Sequence, residues 1–147
     1  MPSSPRSGWH AAAAAAATDG DDVIVIDTSV LIDALSGPRR SSAALRAAVS
    51  DGQRFLLPSL VLYEWLRGPR IKEELDVQAA LFPAEASVPF GAAEATAATG
   101  LYRAVDQARG REVDIAIAAH ALVRDVPVWT LNVADFDDLP GVELFTA

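Results

Sequence analysis

Four carboxylates in this 147-residue chain stand where acids are out of place. Asp27 ends the apolar run Val23-Ile24-Val25-Ile26. Glu64 sits inside Leu60-Val61-Leu62-Tyr63-Glu64-Trp65-Leu66. Asp114 is the one acid in the apolar stretch 113–122, and Asp135 closes Thr130-Leu131-Asn132-Val133-Ala134-Asp135-Phe136. Each has an ordinary explanation of its own. Asp27 can start a helix, Glu64 can pair with Arg67 or Arg70 on a helix surface, and Asp114 can answer a helix dipole. Four together are harder to explain so, because each adjoins an apolar run that would bring it to one edge of one sheet. Clustered carboxylates raise one another's pKa unless a cation neutralises them. Oxygen donors without cysteine or an obvious histidine partner select hard cations, Mg²⁺ or Mn²⁺.

The elements that must carry these acids can be read from pattern. Four consecutive β-branched residues at 23–26 suit a strand buried on both faces, as in a parallel sheet covered by helices. In open parallel sheets ligand sites lie beyond the carboxyl ends of the strands, where Asp27 falls. Thr28 and Ser29 are candidate caps for a helix over 30–35 that stops at Gly37-Pro38. A second helix is expected over 39–50, with Ala43, Ala44, Ala47 and Ala48 as its packing face. A short strand follows at 55–57, then helices at 60–67 and 70–82 and a weak strand at 86–88. An alanine-rich helix spans 92–108 and another 113–124, with strands at 126–130 and 142–145. Glu64 lies one turn above Leu60 and Val61 and so faces the protein body, where an unpaired charge is costly. Strands alternating with helices predict an α/β protein: a three-layer α/β/α sandwich around a central, mostly parallel sheet.

The bulk numbers bound the rest. The length suits one domain, expected over 23–147, and the hydrophobic share of 51% indicates a globular chain. Residues 1–22, with alanine at 11–17 followed by Asp19, Asp21 and Asp22, read as a tail of frayed helix, an extension or a disordered start. The absence of cysteine excludes a disulfide framework, a thiolate zinc site and a cysteine nucleophile, and fits a reducing, cytoplasmic setting. No apolar run approaches a membrane span. A net charge of −8 opposes broad non-specific nucleic-acid binding, but permits a small acidic metal site with arginines beside it.

As a set, Asp27-Thr28-Ser29-Val30-Leu31-Ile32, Glu64 in its apolar helix, Asp114-Ile115-Ala116-Ile117-Ala118-Ala119-His120 and Thr130–Phe136 resemble the successive motifs of PIN-domain nucleases. The likeness is greatest to the VapC group of toxin–antitoxin ribonucleases. It covers about residues 23–147 in the family's order. It implies a metal-dependent endoribonuclease acting on RNA, Mg²⁺ or Mn²⁺ at the acid cluster, a homodimer and an inhibitory VapB-type antitoxin. Carried over by position, Asp27, Glu64, Asp114 and Asp135 are the catalytic, metal-binding acids, with Thr28, Thr130 and Asn132 as neighbours. The Ala-rich extension before Val23 departs from the family pattern.

The inventory weighs against other chemistry. A metal-free ribonuclease commonly uses two histidines. Here His10 lies in the tail and His120 in a packed helix, where a structural role is usual. Asp27 and Asp114 are expected as direct ligands, Glu64 directly or through water, and Asp135 completing the site. Asp137 and Asp138 are expected to be solvated. Arg39, Arg40, Arg67, Arg70, Arg109 and Arg111 are candidates for phosphate contacts, with plain surface solubility as the other reading. Trp9, Trp65 and Trp129, in an alanine- and leucine-rich chain, are expected to add apolar surface for a partner. A receiver domain phosphorylated on Asp27 would want a lysine on a late strand, yet Lys72 is the sole lysine and lies on a helix. A haloacid-type phosphatase would want an acid at Ser29. A catalytically silent binding module stays open as a third class.

Overall fold

The computed structural model describes residues 22–147. The tail expected over 1–22 lies outside them, apart from Asp22. The sheet is built around β1 (Val23–Ile26), every residue of which is buried. Residues β-branched and apolar at successive positions fill both faces of a pleated strand, and a strand with no wet face belongs in the centre. β2 (Arg54–Leu56) and β3 (Val128–Trp129) flank it in parallel, giving the order β2-β1-β3. Val23 pairs with Arg54 and Ile26 with Trp129.

Among the described residues six α-helices flank the sheet in the three-layer arrangement: α1 (Thr28–Leu35), α2 (Ser42–Ser50), α3 (Ser59–Arg67), α4 (Lys72–Leu81), α5 (Ala92–Ala104) and α6 (Glu112–Arg124). α6 packs on α5 and β1, while α1 packs on α2, α3 and α4. The close seat of α6 follows from its small residues. Ala118, Ala119 and Ala121 are fully buried, and Ile115 and Ile117 fill the space beside them. The helix stops where Asp125 turns left-handed (φ 56°) and donates its N–H back to Ala121 and Leu122, a C-terminal stop that aspartate tolerates better than most residues.

Several sequence expectations are corrected. Residues 86–88 do not form a strand. Ala84–Ala86 is a 3₁₀ turn in which Ser87 N–H and Oγ both bond Ala84 O, so Val88 alone bridges the sheet, beside Pro58. Residues 142–145 shrink likewise to one bridge between Leu144 and Val128, because Val142 N–H closes a turn onto Leu139 O. α2 starts three residues later than expected and buries Leu45 and Ala48, while Ala43 and Ala47 face solvent. Trp65 and Trp129 belong to the core and offer no partner surface, and Trp9 lies outside the described residues. Phe55 packs against both Phe82 and Trp129, with ring centroids 6.3 and 6.0 Å apart. Aromatic burial of this kind is a large part of core stability.

Candidate active site at the carboxyl edge of the sheet

Asp27 is the first residue beyond β1 and is 2% exposed. It occupies the N-cap position of α1, yet its side chain makes no capping bond. Thr28 and Ser29, expected as caps, are the first residues of the helix proper and aim their hydroxyls elsewhere. Ser29 Oγ donates to Asp27 Oδ2 over 2.7 Å, and Thr130 Oγ1 donates to the same oxygen over 2.8 Å. Each hydroxyl has one proton and spends it on Asp27, leaving lone pairs to accept from the backbone. Ser29 Oγ takes Leu131 N–H and Thr130 Oγ1 takes Asn132 N–H, both at 2.9 Å. The loop after β3 is thus tied to the end of β1. Asp27 N–H adds a bond to Trp129 O at 3.0 Å. A buried charge costs several kcal/mol unless it is hydrogen-bonded in this way.

Glu64 projects from α3 with its side chain 20% exposed, and it divides its two oxygens. Oε1 accepts from Thr28 Oγ1, which ties it to the residue after Asp27, and Oε2 faces Arg67 at 3.6 Å. The inward placement and the surface ion pair expected from sequence therefore both occur. Asp114 is the third residue of α6 and is partly buried. Burial pushes its carboxyl up to about 6; the negative charges of Asp27, Asp135 and Glu64 act in the same direction, and Arg111 opposes them. Asp135 is exposed, in the 3₁₀ turn Val133–Asp135 after β3. Asn132 is exposed as well, and it reaches the cluster through its backbone N–H.

Asp27, Glu64 and Asp135 thus all lie within electrostatic reach of Asp114. Among the described residues, no three His, Cys, Asp or Glu side chains are close enough to hold a metal ion as they stand. The donor chemistry nevertheless fits a hard divalent cation: every donor is oxygen, and Asp114 resists ionising where a cation would relieve it. His120 has no part in this. It is fully buried on α6, edge-on to Phe90, and burial, aided by Arg124, lowers it to about 4, so it is neutral at pH 7.

The arginines divide. Arg40 pairs with Asp33, Arg67 with Glu64, and Arg70 lies over the Trp65 ring with Nε on Trp65 O. Arg111 grips Asp138, which is therefore not the simply solvated side chain expected. Arg39 and Arg109 are exposed. Sequence reasoning assigned no site role to Ser29 beyond capping and cast Arg111 as a phosphate contact or a plain solubilising residue. Their positions two residues after Asp27 and three before Asp114 were the available signals.

A family model described as "PIN domain" matches residues 24–141. Ribonuclease VapC19 of Mycobacterium tuberculosis is 29% identical over 126 residues, covering 81% of this chain and 96% of the relative. Among solved structures, VapBC2 from Rickettsia felis, bound to a DNA fragment from its promoter, superposes with a TM-score of 0.64. That match has 18% identity and covers 84% of this chain and 97% of the other. FitAcB from Neisseria gonorrhoeae gives a TM-score of 0.62 at 20% identity, covering 84% and 96%. At such identities the two structures speak for the fold alone.

Proposed function

The chain belongs to the PIN domain family, and from that premise we propose that it is a metal-dependent endoribonuclease of the VapC kind, restrained by a VapB-type antitoxin. The observation that carries the reading is Asp114. Its carboxyl is pushed up to about 6 by burial and by three other acids, drawn from the position just after β1, from α3 and from the turn after β3. A protein gains nothing in stability from such a concentration of charge, whereas a cation-binding centre needs it. The similarity to Ribonuclease VapC19 over most of both chains directs the chemistry to RNA.

On this reading Asp27 and Asp114 hold the principal cation, Glu64 binds it directly or through water, and Asp135 completes the set. Mg²⁺ or Mn²⁺ bound there supplies Lewis acidity toward the phosphodiester and lowers the pKa of water. The rest is done by the chain. Ser29 and Thr130 fix the Asp27 carboxylate in one orientation, and Thr28 does the same for Glu64. Side chains locked by neighbouring hydrogen bonds keep ligands within the narrow tolerance that metal chemistry requires. Exposed Arg39 and Arg109 are the remaining candidates for RNA phosphates. With net charge −8, contact with RNA is confined to such spots. By resemblance the products carry a 5′-phosphate and a 3′-hydroxyl.

Partners follow the same premise. Tyr63, Leu66 and Ile71, each at least half exposed, offer apolar surface around the α3–α4 corner. We assign such surface to a homodimer face and to an antitoxin segment. No helix among the described residues is long and apolar enough to cross a membrane, and a cytoplasmic site of action accords with a cysteine-free chain. Incubating the purified protein with end-labelled RNA, with Mn²⁺ or with EDTA, tests the activity. Cleavage that EDTA leaves intact, or that survives in an Asp114→Asn variant, would overturn it. A monomer by light scattering, unchanged by the co-encoded protein, would overturn the partner assignment.

A further inference from the structure

Arg111 precedes α6, and its backbone is fixed before its side chain is considered. Its N–H bonds Ala108 O at 2.9 Å, its carbonyl accepts Ile115 N–H at 2.9 Å, and Gly110 supplies the left-handed turn (φ +89°) that delivers the chain to it. That φ is routine only for glycine. The guanidinium then reaches across to the segment after β3. Nη1 and Nη2 bond the two oxygens of Asp138 at 3.0 and 2.6 Å, and Nη2 also donates to the backbone carbonyl of Asp135 at 2.8 Å. One planar fork thus spans 24 residues of sequence to hold the turn that carries Asp135 against the helix start that carries Asp114.

We propose that Arg111, with Asp138 as its anchor, is the positioning pair that sets the separation of Asp114 and Asp135. The inference rests on the metal-nuclease reading above and adds a role for two residues outside its acid set. The competing role for Arg111 is an RNA phosphate contact. The geometry opposes it, because both terminal nitrogens are already committed to Asp138 and Asp135 O and the side chain is only 19% exposed. Stability is a weak reason for the pair to exist: Asp138 is 47% exposed, and exposed ion pairs contribute little. A bidentate Arg–carboxylate fork does confer defined geometry, which a lysine ammonium cannot reproduce.

The test compares Arg111→Met, Arg111→Lys, Asp138→Asn and the Arg111→Met/Asp138→Asn double variant with wild type. Folding is checked by thermal melts. Mn²⁺ affinity is measured directly, without RNA, by electron paramagnetic resonance of the free ion, and kcat and KM for RNA are measured over a range of salt concentrations. The positioning role expects every variant to weaken Mn²⁺ binding and lower kcat by about tenfold or more, as second-sphere changes commonly do. It also expects unchanged KM and salt dependence, no rescue by Arg111→Lys, and a double variant no worse than the singles. A phosphate contact would instead show raised KM and a flatter salt dependence in Arg111→Met, substantial rescue by lysine, and a silent Asp138→Asn. That pattern, or unchanged Mn²⁺ affinity in Asp138→Asn while wild type binds and cleaves, overturns the inference alone. A wild type that neither binds Mn²⁺ nor cleaves RNA overturns the nuclease reading and this role with it.

Discussion

Thr130 and Asp27 lie 103 residues apart in the chain, and Thr130 Oγ1 stands 2.8 Å from Asp27 Oδ2. With Ser29 on the same oxygen, the carboxylate at the end of the central strand is oriented by its own helix and by the loop after β3. Thr130→Val keeps the shape of the side chain and removes the hydroxyl, both the proton given to Asp27 and the acceptor of Asn132 N–H. Cleavage is expected to fall roughly 10- to 100-fold, the usual cost of losing a partner that orients a metal ligand. Ser29→Ala should act similarly, and it also strips Leu131 N–H of its acceptor. Loss of one hydrogen bond to a charged group is expected to cost about 1.5–3 kcal/mol in urea unfolding. Wild-type rates in Thr130→Val would show that Asp27 needs no orienting by Thr130, Ser29 sufficing.

Asp114 gives a pH prediction. Its folded carboxyl sits at about 6 against an ordinary 3.8. Between those values the folded state binds more protons than the unfolded state, so this group's contribution to stability falls as pH rises from about 4 to about 6 and is level above. Asp114→Asn lacks that loss. Its advantage over metal-free wild type should therefore grow across the window. A shift of roughly 2 units corresponds to at most about 3 kcal/mol, and screening at a partly exposed site reduces this to about 1. His120, lowered to about 4, acts the other way: it costs stability as pH falls from 6.5. Both proteins share that term, so it cancels in the comparison. Parallel stability curves across pH 4–7 would contradict the charge cluster.

The legible parts were those governed by strong local patterns. The run Val23–Ile26 dictates a central strand, and the acid after it follows from the chain meeting water at the strand's end. Glu64 and Asp114 were visible because a lone acid in an apolar helix is costly to misplace. Where local preference is weak, pattern misled. Alanine is indifferent to burial, so the face of α2 was set by Leu45, and Ala43 and Ala47 turned outward. The bridges at Val88 and Leu144 were overread as strands because turn hydrogen bonds claimed their neighbours. The grip of Arg111 on Asp138 spans 27 residues and no periodicity announces it.

A second buried charge group is structural, and it gives a contrasting prediction. Glu94, 6% exposed on α5, takes Gly91 N–H on one oxygen and Arg124 at 2.9 Å on the other. Burial alone would raise its carboxyl, but the bonds from backbone N–H groups and Arg124 hold it below its usual range. Glu94→Ala leaves Arg124 beside a buried hole. Removing one partner of a buried pair costs about 3–5 kcal/mol, less here because Arg124 keeps some contact with water. Pairing Arg124→Met with Glu94→Leu should restore part of the loss. Urea melts that place the double variant below both singles would contradict this, and RNA cleavage per folded molecule should be unchanged throughout.

Metal and stability meet at Asp27 and Asp114. If both hold the cation, Mn²⁺ binds only the folded state and should raise the wild-type melting temperature, because it stabilises that state by RT ln(1 + [L]/Kd), about 2.7 kcal/mol at a hundredfold excess over Kd. Asp27→Asn keeps a carbonyl oxygen able to accept from Ser29 and Thr130, which both donate to Oδ2, so its fold should survive. Asp114→Asn relieves repulsion and should melt at or above the metal-free wild type. Each variant has lost a charged ligand, so each should respond less to Mn²⁺ and lose cleavage. If Asp27 only began a helix, its replacement would instead destabilise by about 1 kcal/mol with no link to metal. The absence of a side-chain capping bond at Asp27 already weakens that reading. The deciding measurement is the thermal melt of the three proteins with and without Mn²⁺. Equal metal shifts in all of them would remove Asp27 and Asp114 from the cation site, because a ligand whose loss leaves binding unchanged is not a ligand.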